Sequence, residues 1–475
     1  MGTVLLESLR SWWPEACLSI GALLAIVLGA EKAPRTVMAA TWGALTAAGI
    51  ALWTAPALPA TGLFFGLIVT DPLSLAFRWL ILGTLVVTTL LLDGSREIPA
   101  PARGACCGLI LLLGVGLMLM AEAAHLLMAY LAMELVSLSS YLLVGFLYDA
   151  RSAEASLKYL LFGALASAIM LFGMSLLYGM TGALAFADLR AATSGALTPG
   201  LIMAAVLLLA GLAFKVSMVP FHLWTPDVYE GAPIAVTALL SVGPKAAGLA
   251  LLLRLLGSLP SVWPALMPLL LALTIVTMTL GNLAALGQTN VKRLLAYSTI
   301  GQVGYLLIGL VAGTRLGLAG LILYLAAYLF MNLGAFACVA AVVDASDGRE
   351  SLDVFRGLSA RAPGLALAFT ALLLSLAGIP PLFGFFGKFL LFGAAIERHL
   401  GWLAVAAILN SAVALYYYVN LIRLMYLQAP QQPQPVPLAP ALSLALAACT
   451  AATVLLGLFP GPALSAVARC LGGVL

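Results

Sequence analysis

Four ionisable side chains stand in stretches that are otherwise apolar: Glu134 in AAHLLMAYLAMELVSLSSYLLVGF, Lys215 in GLAFKVSMVP, Lys245 in VTALLSVGPKAAGLALLLRLL and Lys388 in GIPPLFGFFGKFLLFG. A lysine at the centre of a membrane helix costs about 2.5–3.5 kcal/mol on insertion scales, so it rarely sits there without a partner or a water path. The chemistry open to such groups is proton transfer. Burial lowers a lysine by up to roughly 3–5 units from about 10.4 and raises a carboxyl. A carboxylate about 4 Å away opposes that, contributing about 4 kcal/mol at an effective dielectric of about 20. Moving Glu134 toward or away from Lys215 would therefore switch that lysine between holding and releasing a proton. One charge moved against about 100 mV costs about 2.3 kcal/mol, within reach of such a switch if conformational work comes from elsewhere.

The elements that must hold these groups are membrane helices. The chain is 63% hydrophobic and 8% charged, too little polar surface for a soluble fold of 475 residues. Apolar stretches of roughly 17–25 residues recur at about 13–30, 36–54, 71–92, 104–121, 123–147, 155–180, 201–221, 234–256, 265–286, 294–312, 317–343, 363–395, 401–427 and 441–459. The fold class is all-α polytopic, with about fourteen transmembrane helices in one domain spanning 1–475. No separate soluble domain fits the loops 55–70, 181–200 and the Pro/Gln-rich 428–440, which reads as an extended connector. The N-terminal apolar run lacks a basic lead and a cleavage site and reads as a retained first span. Lys32, Arg35, Arg96, Arg103, Arg151, Lys292, Arg293, Arg349, Arg356 and Arg361 fall in alternate loops, which the positive-inside rule places on the inner side, with both termini on the periplasmic or equivalent side.

Proline breaks two of these spans. Pro220 follows Lys215 by five residues, and Pro380 and Pro381 shortly precede Lys388. Proline removes a backbone donor, and irregular backbone at membrane depth is tolerated only against protein or a wet cavity. Two broken, lysine-bearing helices five apart fit an inverted repeat. The expected divisions are helices 1–3 (1–103), a first repeat of helices 4–8 (104–256), a second of helices 9–13 (265–427), and helix 14 with the C-terminal end (441–475).

Each group also has a plainer reading. A helix-end lysine snorkels to the headgroups, as expected of Lys158. A fixed Glu134–Lys215 bridge would merely hold the bundle together. His222 either relays protons or caps the break beside Pro220. Asn282, Tyr297, Ser298, Gln302, Tyr305, Tyr324, Tyr328 and Asn332 either line a hydrated path or bond between helices, the commoner use. Cys106 and Cys107 read as packing residues. GFFGK at 384–388 has Leu382 and Phe389 where a phosphate loop needs glycine and Ser/Thr, and no dinucleotide fingerprint occurs. The six cysteines show no CxxC spacing and the only histidines are His125, His222 and His399, so no iron–sulfur, haem or other metal site is expected. A net charge of +4 from loop residues implies no nucleic-acid partner.

The segments FKVSMVPFHLWTPDVYEGAP, GNLAALGQTNVKRLLAYSTIGQVGYLLIGL, LSLAGIPPLFGFFGKF and ALYYYVNLIRLMY resemble the antiporter-like subunits of proton-pumping NADH-quinone oxidoreductase, respiratory complex I or its photosynthetic relative, in the subunit N branch. HLWTPDVYEGAP is the most specific part, since the related L and M subunits and Mrp-type subunits carry a WLPDA-like sequence there. The resemblance implies that Glu134, Lys215, Lys245 and Lys388 form a lateral axis for proton translocation, with His222, Gln302, Tyr305 and Tyr324 as relay or water-path candidates. It implies no cofactor in this chain, with NADH, FMN, iron–sulfur clusters and quinone in partner subunits. M and small K/J-type membrane subunits and lipids are the expected partners, in a bacterial inner or equivalent energy-transducing membrane. Many members have histidine where this chain has Gln302, which can hold a water chain but cannot take a proton. The alternatives are an Mrp-type cation/proton antiporter subunit without a redox partner and a subunit that only anchors a membrane arm.

Overall fold

The computed structural model describes residues 8–30, 34–54, 61–195, 197–430 and 434–471. Among them the chain forms α1 (Trp13–Ala30), α2 (Pro34–Thr54), a hairpin of β1 (Thr61–Leu63) and β2 (Ile68–Thr70), and then α3 (Pro72–Gly94), α4 (Arg103–Glu122), α5 (Leu126–Val144) and α6 (Ala150–Thr181). There follow α7 (Pro199–Val216), α8 (Ile234–Gly257), α9 (Trp263–Ala285), α10 (Val291–Ala312), α11 (Arg315–Asp344), α12 (Pro363–Ala377), α13 (Phe383–Glu397), α14 (Gly401–Leu427) and α15 (Pro440–Leu458). Thirteen of these helices are long and apolar enough to cross a membrane, and the chain is an all-α polytopic membrane protein.

Caps set the helix ends. Asp71 Oδ1 accepts from Ser74 N–H at 2.7 Å while Ser74 Oγ accepts from Asp71 N–H at 2.9 Å, a capping box ahead of α3. Asp149 caps α6, and the Asn290 side chain takes the Lys292 and Arg293 N–H groups at the start of α10. Lipid offers no hydrophobic drive between helices, so close approach falls to small residues. A Cβ on Gly281 of α9 would stand 2.4 Å from the Gly301 nitrogen of α10. The helices α8 and α10 are enclosed on nearly all sides, whereas α1, α14 and α15 present long apolar faces outward. Around this centre α8 packs on α3, α4, α7 and α11, and α10 packs on α9, α11 and α13.

Both expected breaks are present, and they shorten the spans. The stretch 201–221 is not one helix: α7 stops at Val216, Ser217 adopts left-handed φ of 65°, the Val219–Pro220 bond is cis, and a short helix, Trp224–Gly231, occupies what reads as loop. Likewise 363–395 divides into α12 and α13 of 15 residues each, with Gly378 at φ 90° and a cis Pro380–Pro381 bond between them. The β-hairpin within 55–70, the helix Phe186–Ala192 and the helix Gly461–Leu471 after α15 are further additions. Lys32 lies outside the described residues.

The two ends of the bundle differ. One, the hairpin end, joins β2 to 123–125 and 184–186 through Ala124 N–H to Leu67 O and Leu126 N–H to Leu184 O. The other, the charged end, joins 288–291 to 350–352 through Val291 N–H to Glu350 O and Leu352 N–H to Thr289 O.

Candidate functional site

The broken backbones explain how three lysines stay buried. Lys215, Lys245 and Lys388 are 0%, 0% and 3% exposed. Pro244 has no N–H to give the Leu240 carbonyl, which an unbroken helix would bond from residue 244. Lys245 Nζ takes that carbonyl at 3.0 Å. It also donates to Tyr229 Oη at 2.9 Å and lies 5.0 Å from the Trp224 ring centroid, both on the short helix Trp224–Gly231. Lys388 uses the other break. Its Nζ donates to the Leu376 and Ala377 carbonyls at 3.1 Å each, the C-terminal end of α12 where the helix dipole favours a cation, and lies 4.2 Å from the Tyr305 ring.

Lys215, in the last turn of α7, donates to Ser137 Oγ of α5 at 2.8 Å. Glu134, half-buried on the same helix, instead accepts from Ser167 Oγ of α6 at 2.5 Å. No ion pair within 4.0 Å joins Glu134 to Lys215 among the described residues, so the fixed structural bridge is absent. His222 is 6% exposed, and its Nδ1 has no hydrogen-bond partner. No hydrogen bond among the described residues ties its ring to Lys215.

Between Lys245 and Lys388 runs a strip of hydroxyls and amides centred on α10. The Tyr229 hydroxyl meets Thr299, which accepts from Tyr328 Oη at 2.9 Å. One residue before, Ser298 pairs with Tyr418 Oη at 2.5 Å. Gln302 Nε2 donates to Tyr418 Oη at 3.3 Å and to Leu376 O at 3.1 Å, the carbonyl that also takes Lys388, and Gln302 Oε1 accepts from Tyr324. Tyr305 accepts from Asn282 Nδ2 at 3.0 Å, and Asn332 donates to Ser241 Oγ at 2.5 Å. These polar residues bond between helices, and Thr299, Tyr418 and Tyr229 join the set that the sequence reading named.

Charged clusters whose pairings the sequence does not show gather at both ends. At the charged end Lys158, 41% exposed at its side chain, pairs with Glu154 and Asp227, both at 2.9 Å. Arg293 bonds Asp227 and Glu230 at 2.8 Å, Arg151 bonds Glu230 at 2.9 Å and Glu350 at 2.6 Å, and the fully buried Lys292 bonds Glu350 and Ala232 O at 2.7 Å each. A cavity of ≈ 250 Å³ opens among Arg151, Lys158, Asp227, Glu230 and Arg293. Burial would raise the Asp227 carboxyl, but the hydrogen bonds and charges of Lys158 and Arg293 outweigh it and hold it below the usual range. Glu350, desolvated in the same way, is held low by Lys292, Asn290 and Arg151. At the hairpin end Arg78 pairs with Glu15 and Glu122, all buried, and Arg254 pairs with Asp71. The cost argument that found the lysines applies equally to Arg78, seven residues into the span expected at 71–92.

Residues 123–414 match a family model described as NADH:quinone oxidoreductase/Mrp antiporter, TM. The chain is similar to NADH-quinone oxidoreductase subunit N of Anaeromyxobacter sp., 43% identical over 89% of each chain. It superposes on a chain of respiratory complex I from Thermus thermophilus at TM-score 0.80 and 34% identity, covering 96% of this chain and 99% of that one. A chain of the Mrp complex from Dietzia sp. shares the fold at TM-score 0.83, with 23% identity over 98% and 97%. The protein thus belongs to the NADH:quinone oxidoreductase/Mrp antiporter membrane family, among its quinone-oxidoreductase subunit N members.

Proposed function

We propose that this chain is a proton-translocating membrane subunit of an NADH-quinone oxidoreductase, whose NADH, FMN, iron–sulfur and quinone chemistry belongs to partner subunits. The observation that carries the reading is the set of three buried lysines, each lodged at a helix discontinuity or helix end. Each is hydrogen-bonded to neutral groups alone, with no carboxylate within 4.0 Å among the described residues. A lysine held by hydroxyls and carbonyls can give up its proton without leaving a buried counter-charge unpaired.

In this reading Glu134 tunes Lys215, Lys245 takes up the proton, and the α10 strip carries it to Lys388. Gln302 orders that strip by bonding three partners, and Tyr324 and Tyr305 hold its Lys388 end. The ≈ 250 Å³ cavity is the water-accessible mouth: Asp227 and Glu230 face it from the short helix whose Trp224 and Tyr229 face Lys245. His222 lies in the break beside the Pro220 backbone, with no bonded partner on its Nδ1. The charged end is the inner side and both termini lie on the opposite, periplasmic side, which the loop arginines and lysines support. Helices α4–α8 and the five crossings from α9 to α14 make two inverted repeats, in a bacterial inner or equivalent energy-transducing membrane. Neighbouring membrane-arm subunits of M and K/J type receive the charge-state changes.

Lys215→Ala and Glu134→Ala in the assembled complex test this. Each is expected to depress proton translocation sharply; normal pumping in both, with the complex intact, overturns it. Sodium flux driven by a pH gradient without an electron donor would point instead to a cation/proton antiporter.

A further inference from the structure

The hairpin end holds a second buried ionisable group, remote from the lysine strip, in which α1 and α3, outside the expected repeats, meet the end of α4. Arg78 of α3 donates from Nε and Nη2 to Glu15 of α1 at 2.9 and 2.6 Å, and from Nη2 to Ser11 O at 2.9 Å. Its Nη1 lies 2.9 Å from Glu122 Oε1, the last residue of α4, but off the N–H direction, so neither Glu122 oxygen receives a hydrogen bond. Glu15 and Arg78 are 0% exposed and Glu122 is 1% exposed. The other charged groups facing the cluster are Arg254 of α8 and Asp71 at the start of α3, already bonded to each other at 2.7 and 2.9 Å; Cys17 lies beside Glu15. With every acid ionised the five charged groups would carry two positive and three negative charges, a surplus anion sealed from water.

That surplus has a preferred site. Glu15 lies in the first turn of α1, where the helix dipole favours an anion, and holds two hydrogen bonds from Arg78. Glu122 lies at the C-terminal end of α4, where the dipole disfavours one, and both its oxygens lack donors. An isolated buried carboxylate neutralises rather than persists. We propose that the Glu15–Arg78–Glu122 cluster is a proton-binding site distinct from the lysine axis, taking one proton on Glu122 and exchanging it with the hairpin-end aqueous face past Asp71. Asp71 is 18% exposed at its side chain, and its partner Arg254 also donates to Ala121 O, next to Glu122, at 2.6 Å. The bound proton is thereby felt at the end of α8, the helix that carries Lys245.

Infrared spectra of the assembled complex, wild type minus variant, test the site directly. For Glu122→Gln the difference is expected to show one protonated-carboxyl carbonyl band that shifts on transfer to D2O, with no carboxylate bands. For Glu15→Gln the same band is expected to be lost, because Arg78 is then left with one acid and Glu122 ionises against it. Carboxylate bands in the Glu122→Gln difference, or a Glu15→Gln variant that keeps the protonated band, so that it cancels from its difference, overturn the proposal. The amide copies the protonated acid, so failure of Glu122→Gln to assemble also counts against it.

Discussion

Lys215 Nζ donates to Ser137 Oγ and not to Glu134, although Ser137 and Glu134 lie one turn apart on α5. Glu134 is turned toward α6 and held there by Ser167. The carboxylate and the ammonium are therefore electrostatic neighbours without being a bonded pair, as the separated state of the proposed switch requires. Reaching Lys215 would cost Glu134 its bond to Ser167, so the two serines compete to set the switch.

Ser137→Ala removes the one hydrogen-bond partner that Lys215 Nζ has on α5. Losing the partner of a buried ammonium costs about 1.5–3 kcal/mol. We expect the rate of proton translocation to fall about tenfold, equivalent to about 1.4 kcal/mol, with assembly retained. Ser167→Ala releases Glu134 instead and is expected to alter the pH profile of turnover. Unchanged translocation in reconstituted vesicles for Ser137→Ala would show that Lys215 finds its proton path elsewhere.

Pro244→Ala tests the lysine seat in α8. The restored N–H would bond Leu240 O and compete with Lys245 Nζ for it. The helix should gain stability, since proline in a helix interior costs about 3 kcal/mol, while turnover falls because Lys245 is held by Tyr229 and Trp224 alone. Melting of the assembled complex and its proton pumping should move in opposite directions.

Tyr305 offers two contacts that can be separated. Tyr305→Phe keeps the ring 4.2 Å from Lys388 and loses the hydroxyl bond to Asn282, whereas Tyr305→Leu loses both. A desolvated cation–π contact contributes about 2 kcal/mol, so the leucine variant should pump at least about tenfold more slowly than the phenylalanine variant. Equal rates would remove the ring from the account.

Glu350→Gln strands the fully buried Lys292 and is expected to cost about 3–5 kcal/mol. Asp353→Asn breaks an exposed pair with Arg356 and should cost at most about 1 kcal/mol. The pH dependence follows from the same groups. The Glu350 and Asp227 carboxyls are held below their ordinary values in the fold, so their stabilisation is present above the unfolded carboxylate range near 4 and is lost as pH falls through the lowered values. Detergent melting curves at a series of acid pH values should steepen in that window for wild type and flatten for Glu350→Gln.

Much of the site is legible in the chain because burying a charge in an apolar helix is expensive wherever it occurs. That argument alone picks out Glu134, Lys215, Lys245 and Lys388, and proline locates both breaks. It does not say what receives the ammonium groups, since those partners come from backbone carbonyls freed by Pro244 and by the end of α12. The helix Trp224–Gly231 escapes notice because WTPDVYEG is polar on one side, and polarity at a span end reads as loop until its other side is seen against Lys245. Arg78, two turns into α3, is open to the cost argument, but Glu15 and Glu122 escape because each sits at a helix end, where a charge normally reaches water. Only the contact between residues 63 positions apart shows that here it does not.

The holds at the two ends of α8 give Pro244 a mechanical meaning. At the charged end the Ile234 N–H is fastened to Glu97 Oε2 at 2.7 Å and the neighbouring Ala232 carbonyl to Lys292; at the hairpin end Arg254 is fastened to Asp71 and to Ala121 O. A beam clamped at both ends neither tilts nor slides when its load changes. It bows, and it bows where it is weakest. In α8 the weak point is the missing hydrogen bond at Pro244, one residue before the lysine, so flexure of the clamped helix would centre on the residue that carries the charge.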